Sequence, residues 1–307
     1  MRNFVQQKGR VHLSYEEFIC RVQENVKEKL GNEVRVEHRR ITRNNGVELQ
    51  GLAVLEDGQK ISPLIYLEDF YRDYREGRSL TEIVDGILRI YDRSRRTAGI
   101  DYEFYTKYEN VEPRIVCKLV NYERNRKLLH KIPHIRCLDL ALVFYYALED
   151  EMLCGGTILI HNSHLDMWKV TLRQICETAR RNTLRLFPYE FQGIQKLLEE
   201  EYQEPDLHSG DHEAFPMYVL SNKEKRFGAV NMLYDTILSA IGRELDDDFY
   251  VLPSSIHECI IIPAAAGTSA EELKSMIWEI NRTQVQSEEV LSDQVYFYER
   301  EGHRLRM

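Results

Sequence analysis

The feature that most constrains the fold is an uninterrupted run of nine apolar residues at positions 140–148. A helix that spans a bilayer needs roughly 20 predominantly apolar residues, so this run is too short to cross a membrane. The segment 138–148 is dense in β-branched and aromatic residues, which favour strands. A second extended piece at 157–161 follows Gly155 and Gly156, so the pattern predicts a β-hairpin.

Helix and strand signals alternate along the rest of the chain. Ser14 and Glu17 have the spacing of a helix capping box. Extended segments flank a turn at 44–46 and predict another hairpin, and a further helix is expected over 227–245. Strands in adjacent pairs, with helices between them, predict an α+β fold with largely antiparallel sheets, flanking helices and two lobes.

Residues 198–213 mark the clearest change in composition. This stretch is acidic, contains Pro205 and Gly210, and has few apolar residues, which is typical of a loop or linker. We therefore expect an N-terminal α+β lobe at 1–200 and a C-terminal lobe at 214–307, the latter with strand–helix–strand–strand–helix order.

Net charge and cysteine content indicate the cellular compartment of the protein. The 41 basic and 50 acidic residues give a net charge of −9, which argues against unspecific binding to nucleic acid or to an anionic membrane. The six cysteines lie far apart, and the first residues lack the apolar core of a signal peptide. These features predict a cytoplasmic protein without membrane association. Neither a Walker loop nor a G-x-G-x-x-G motif is present, so no cofactor is expected, and the oligomeric state stays open.

The segment 254–258 places chemically versatile side chains between two apolar strands. Ser255, His257 and Glu258 offer the hydroxyl, imidazole and carboxylate groups that nucleophilic or acid–base catalysis uses. Alternation along a strand puts Glu258 on the opposite face from the other two, and no G-x-S-x-G elbow is present. One hypothesis is a hydrolase centred on this segment, with His164 in support. The alternative is a tight connection whose side chains hydrogen-bond the backbone of the turn.

His161 and His164 follow the second strand of the predicted hairpin and are candidate metal ligands. Two intervening residues permit both imidazoles to bind one ion, but a zinc site needs further ligands, to which the sequence does not point. The alternative is a turn formed by Asn162 and Ser163. We therefore predict no metal site here.

Basic side chains are concentrated in residues 124–136, close to Tyr122. Cations on one face beside an aromatic ring are typical of proteins that bind single-stranded nucleic acid. The negative net charge and the lack of a recognised nucleic-acid motif argue against that function, and a solvated basic face is the alternative. Nucleic acid is therefore a less favoured partner than protein.

The 18 tyrosines cluster at several places along the chain. Tyrosine combines apolar area with a polar tip and is enriched at protein interfaces, although it is also frequent in strands. The leading hypothesis is therefore a non-catalytic interaction or accessory protein rather than an enzyme. The clusters are Tyr66, Tyr71 and Tyr74; Tyr102, Tyr105 and Tyr108; Tyr145 and Tyr146; Tyr296 and Tyr298.

Six blocks of the chain together resemble a bacterial family known as the domain of unknown function 5688. The resemblance covers nearly the whole chain, and it implies a bacterial cytoplasmic protein. It brings no activity, cofactor or catalytic residue with it. The blocks lie at 44–71, 114–125, 132–148, 158–168, 217–234 and 249–263.

Overall fold

The first helix, α1 (Tyr15–Leu30), begins directly after the predicted capping box. The Ser14 hydroxyl accepts a hydrogen bond from the Glu17 backbone N–H, and the Glu17 carboxylate accepts one from the Ser14 N–H. Gly31 follows the helix with φ +79°, a conformation that favours glycine. These details come from a computed structural model that describes residues 12–31, 33–56, 64–97, 102–148, 156–197 and 216–307.

Contacts along the chain divide it into two compact units. The first unit comprises Met1–Arg43, Glu48–Glu103 and Asp150–Cys154, and the second comprises Asn44–Val47, Phe104–Glu149 and Gly155–Met307. The described elements up to residue 97 are α1, β1 (Val34–Thr42), β2 (Glu48–Glu56), β3 (Leu64–Tyr66), α2 (Glu68–Arg75) and α3 (Leu80–Thr97).

The sheet of the first unit has the strand order β1-β2-β3, with antiparallel pairing throughout. The register runs from Val34 opposite Glu56 to Thr42 opposite Glu48, which confirms the predicted hairpin. The core of this unit includes Phe18, Val22 and Leu52, all fully buried. The four-residue spacing of the apolar side chains of α1 brings them onto this core.

From Tyr102 onward the described residues include seven α-helices and ten strands. The helices are α4 (Tyr102–Thr106), α5 (Tyr108–Val111), α6 (Arg126–Leu129), α7 (Asn162–Trp168), α8 (Leu172–Leu186), α9 (Asp235–Leu245) and α10 (Ala270–Thr283). The strands are β4 (Ile115–Asn121), β5 (His134–Cys137), β6 (Leu140–Ala147), β7 (Thr157–Leu159), β8 (Tyr189–Gly193), β9 (Tyr218–Asn222), β10 (Phe249–Leu252), β11 (Cys259–Pro263), β12 (Tyr296–Glu299) and β13 (Arg304–Arg306).

The apolar run identified in the sequence is β6, and all eight residues of this strand are buried. It pairs with β4 and β5, and also with β7, which confirms the hairpin predicted around Gly156. A second sheet has the order β13-β12-β10-β11-β9-β8. Every strand pairing within the described ranges is antiparallel, so the α+β class with antiparallel sheets is confirmed.

The division into units differs from the lobes predicted at 1–200 and 214–307. Strands β8 and β9 pair with each other, with Tyr189 opposite Asn222 and Gly193 opposite Tyr218. Chain on both sides of the acidic segment therefore belongs to one sheet of the second unit, and the main division falls near Glu103. The segment 198–213 itself lies outside the described residues.

The helix predicted over 227–245 is interrupted. Residues Gly228–Leu233 form a 3-10 helix, and α9 begins only at Asp235. Phe227 has φ +56°, and a Cβ on Gly228 would lie 2.7 Å from the His257 carbonyl oxygen. The close approach of two backbone segments therefore sets this geometry, which helical periodicity alone does not reveal. No helix within the described ranges is long and apolar enough to cross a membrane.

Candidate functional site

The predicted 254–258 segment is paired along its backbone with a loop that we call the 284–293 loop. The Ile256 N–H donates to the Glu289 carbonyl at 2.8 Å, and the Leu291 N–H donates to the Ser254 carbonyl at 2.9 Å. Ser255 and Val290 form an isolated antiparallel bridge. The segment is therefore held as part of the second unit's framework.

The Ser255 hydroxyl is occupied by this framework. Ser255 is buried, and its Oγ accepts a hydrogen bond from the His257 backbone N–H at 3.0 Å. Ser254 is also buried, and its N–H donates to the Leu252 carbonyl. This is the side-chain-to-backbone bonding expected of a tight connection.

Both nitrogens of the His257 imidazole have partners other than serine. Nδ1 lies 3.3 Å from the Phe227 backbone N–H, which donates to it, and Nε2 lies 3.3 Å from Glu289 Oε1. The imidazole stacks on the Phe227 ring, with centroids 5.4 Å apart and planes 15° apart. The contacts of His257 therefore hold the turn at Phe227 and the 284–293 loop. Sequence reasoning missed Phe227 and Glu289 because both are distant in the chain and belong to no motif.

Phe227 is the centre of an aromatic and cationic cluster. Lys118 Nζ lies 4.2 Å from the centroid of its ring, a distance at which a cation interacts favourably with an aromatic face. Tyr145 meets the same ring edge-on at 5.3 Å. Burial raises the pKa of the Tyr145 hydroxyl, so this phenol stays protonated.

Glu258 is partly buried, and within the described ranges its carboxylate has neither a hydrogen-bond nor an ion-pair partner. Burial raises the pKa of the neighbouring Cys259 thiol, and the Glu258 charge adds to that effect. The carboxylate that reaches the His257 imidazole is that of Glu289, not that of Glu258.

His161 and His164 lie at the beginning of α7, where the alternative prediction was a turn at Asn162 and Ser163. Those two residues are instead the first of the helix. His164 Nδ1 accepts a hydrogen bond from the His161 backbone N–H at 3.1 Å, and its ring packs on Trp168 at 5.3 Å.

Burial lowers the pKa of His164, and the neighbouring His161 lowers it further. The two histidines have different partners: His164 contacts His161 and Trp168, whereas His257 contacts Phe227 and Glu289. Across the described ranges there is no group of three or more histidine, cysteine, aspartate or glutamate side chains that could hold a metal ion.

Three arginines within residues 124–136 have partners in the fold. Arg124 forms an ion pair with Asp293 at 3.0 Å, and Arg126 forms one with Glu123 at 2.7 Å. The Arg136 guanidinium lies over the Tyr122 ring, 4.3 Å from its centroid. Their charges are therefore partly neutralised or stacked within the fold.

Side-chain amides hold the backbone of the 284–293 loop. They donate to five successive or nearly successive carbonyl groups, so the loop is fixed although it contains no helix or strand. The bonds are Asn45 Nδ2 to Ser287 O (2.9 Å) and Val290 O (2.7 Å), Asn44 Nδ2 to Glu288 O (2.6 Å), Asn121 Nδ2 to Leu291 O (3.0 Å) and Asn281 Nδ2 to Ser292 O (2.9 Å).

The 284–293 loop and α10 together line a cleft of about 330 Å³, which we call the Trp278 cleft. The Trp278 side chain is 53% exposed, and the Arg282 guanidinium lies 4.5 Å from the centroid of its ring. The lining residues are Arg124, Trp278, Asn281, Arg282, Val285, Ser287, Val290 and Asp293.

Asn281 is the buried polar residue of this cleft, with 7% exposure. Its Nδ2 donates to the Ser292 carbonyl and to Asp293 Oδ1, at 2.9 and 2.7 Å. Its Oδ1 is buried and has no hydrogen-bond partner among the described residues. A buried acceptor without a donor costs free energy.

Sequence reasoning missed the Trp278 cleft altogether. Only Arg124 of its lining belonged to a predicted site, and α10 was predicted merely as a helix. Two tyrosine clusters that favoured an interaction surface lie in the core instead, because Tyr145, Tyr146, Tyr296 and Tyr298 are all buried. One signal could have revealed Trp278. Its position in the helix lies off the face that carries the other apolar residues, and such a position predicts an exposed ring.

Comparison with known proteins gives one match. No curated protein and no solved structure matches the chain. The sequence profile of a family of unknown function (DUF5688) matches residues 15–300, which is nearly the whole chain and includes the Trp278 cleft and the 254–258 segment. The chain belongs to this family of unknown function.

Proposed function

We propose that this chain is a non-catalytic interaction or accessory protein that binds a protein partner through the Trp278 cleft. The observation that carries the proposal is the Trp278 indole, which is 53% exposed beside a cleft. It lies on the outer face of α10, whose buried residues are Leu273, Ile277 and Asn281. Tryptophan and arginine side chains at the centre of an interface contribute most to binding energy, and Arg282 lies directly over this ring.

The state of the catalytic candidates supports the same proposal. The Ser255 hydroxyl accepts from a backbone N–H, and the His257 nitrogens lie against Phe227 and Glu289. A serine nucleophile requires a base within hydrogen-bond reach of its hydroxyl, whereas these side chains stabilise a connection between strands. A hydrolase centred on 254–258 is therefore the less favoured alternative.

The proposal includes a bacterial cytoplasmic location. Five described cysteines are free, and two of them, Cys117 and Cys259, are buried among apolar side chains. Free, separated thiols fit a reducing compartment. Burial raises the pKa of the Cys117 thiol to about 11, which favours the protonated, unreactive form.

The test is partner capture with matched surface variants. Wild-type protein, Trp278→Ala and Leu172→Ala serve as baits, because Leu172 is another exposed apolar side chain, on α8. We expect a partner retained by wild type and Leu172→Ala but lost from Trp278→Ala. The captured protein is then purified, and its affinity for the three baits is measured directly.

Two outcomes would overturn the proposal. One is a purified partner whose affinity is the same for wild type and Trp278→Ala. The other is substrate turnover by the purified chain that Ser255→Ala or His257→Ala abolishes, which would establish the hydrolase alternative.

A further inference from the structure

We propose that the Trp278 cleft recognises an acidic peptide segment, with one carboxylate bound by Arg282. This inference rests on the proposed function and specifies the chemistry of the partner. It combines a cation and an exposed aromatic ring that share one cleft.

Arg282 supplies the cation. Its guanidinium lies on the Trp278 ring, and within the described ranges no carboxylate forms an ion pair with it. A guanidinium stacked by its face keeps its N–H edge for bidentate contact with a carboxylate. Arg124, by contrast, is already paired with Asp293 at 3.0 Å, so Arg282 is the group in the cleft that lacks a counter-charge.

Asn281 fixes the acidic side chain of the cleft. Its Nδ2 donates to the Ser292 carbonyl and to Asp293 Oδ1, while Asp293 Oδ2 pairs with Arg124. The Asp293 carboxylate is therefore already engaged by these two residues, and Arg282 remains available to a carboxylate from outside.

The remaining lining is suited to apolar parts of a peptide. Trp278 and Val285 provide apolar surface, whereas Val290 is buried. A volume of about 330 Å³ lies at the lower end of the range for ligand pockets. The cleft therefore accommodates a short segment with an apolar side chain beside its acidic one.

Charge favours a peptide over single-stranded nucleic acid. The cleft contains two arginines, and one of them, Arg124, already pairs with the Asp293 carboxylate. A polyphosphate backbone needs a continuous row of cations, but Arg126 and Arg136 are already paired or stacked elsewhere. A single carboxylate needs only Arg282.

The experiment measures fluorescence anisotropy of three labelled probes with the full-length chain. The probes are a short blocked peptide of alternating glutamate and leucine, the same peptide with glutamine in place of glutamate, and oligothymidine. We expect the glutamate peptide to bind at least about tenfold more tightly than the glutamine peptide, as a charge-assisted contact requires.

Two arginine variants assign the contact. Arg282→Gln should weaken binding of the glutamate peptide about tenfold, whereas Arg126→Gln, which removes an exposed arginine outside the cleft, should leave the affinity unchanged. Equal binding of both peptides, no effect of Arg282→Gln, or tighter binding of oligothymidine would overturn the inference. If a purified partner needs Trp278 while neither peptide binds, this inference fails and the proposed function stands.

Discussion

The 254–258 segment and the Trp278 cleft both contact the 284–293 loop, yet their polar groups differ in what they bind. Glu289 of the loop contacts His257, whereas Val290 and Asp293 line the cleft. The segment is rich in reactive side chains, and its serine and histidine form hydrogen bonds or ion pairs within the fold. The cleft has no recognisable motif, and among the described residues no carboxylate forms an ion pair with its Arg282.

This difference shows that residue type alone does not identify a functional site. A hydroxyl and an imidazole have catalytic potential only when their hydrogen-bonding capacity is directed at a substrate. Here Ser221 Oγ also donates to the His257 carbonyl, at 2.8 Å, so even the backbone of His257 is part of the framework.

The largest effect is expected from Gly228→Ala, which tests whether the packing around His257 is structural. A Cβ at this position would lie 2.7 Å from both the Asn222 backbone nitrogen and the His257 carbonyl oxygen. Backbone atoms cannot move aside cheaply, so we expect a loss of about 3 kcal/mol in the free energy of unfolding. Urea denaturation measures it. The control is Gly193→Ala, whose Cβ meets nothing within 4 Å; an equal loss in both variants would contradict the assignment.

Asn125→Ala tests whether the amide network holds the loop. The buried Asn125 side chain accepts from the Asn45 N–H at 2.9 Å and donates to Asn45 Oδ1 at 3.0 Å. Its removal leaves buried polar groups unpaired, which should lower the free energy of unfolding by about 2 kcal/mol. Hydrogen exchange of the 284–293 amides should also become faster. Asn110→Ala removes an exposed amide bond to Phe104 and should do neither.

Ser255→Ala tests whether the serine of the 254–258 segment has a structural role. The variant loses the hydrogen bond from the His257 N–H to Ser255 Oγ, so we expect a loss of about 1 kcal/mol in unfolding free energy. Partner affinity at the Trp278 cleft should not change, since the Ser255 hydroxyl does not line it. Thermal unfolding and a binding titration of the same preparation measure both. A large drop in affinity without a drop in stability would contradict this account.

The smallest effect is expected for the contribution of His164 to the pH dependence of stability. Burial and the neighbouring His161 lower the pKa of His164 in the folded protein, so the unfolded chain takes up this proton more readily. The stabilising contribution is therefore present above about pH 6.5, the ordinary value for histidine, and is lost as the pH falls below it. In His164→Gln the urea midpoint should fall less steeply between about pH 7 and pH 5 than in wild type. An unchanged slope would show that His164 is not involved.

Local and hairpin features were predictable from the sequence, because neighbouring residues determine them. Ser14 and Glu17 cap α1, the 44–46 turn joins β1 and β2, and the apolar run forms β6. The pairing of β8 with β9 across the acidic segment, and the break at Phe227, were not predictable because they depend on contacts between distant segments.

The Trp278 cleft was hidden for the same reason. It brings Arg124, which follows β4, next to α10 and to Asp293, and no spacing along the chain encodes that meeting. The sequence did predict the kind of function now proposed, but it based the prediction on tyrosines that include core residues such as Tyr296.

The deciding measurement is the affinity of one purified partner for wild type, Trp278→Ala and Glu258→Gln, determined side by side by isothermal titration calorimetry. Within the described ranges the Glu258 carboxylate has no hydrogen-bond or ion-pair partner, so Glu258→Gln changes the 254–258 segment without removing a contact to the 284–293 loop. We predict that Trp278→Ala weakens binding by at least about tenfold, as expected for an interface centre, and that Glu258→Gln binds as wild type does. Binding lost in Glu258→Gln and retained in Trp278→Ala would show that the 254–258 segment, not the Trp278 cleft, is the binding site.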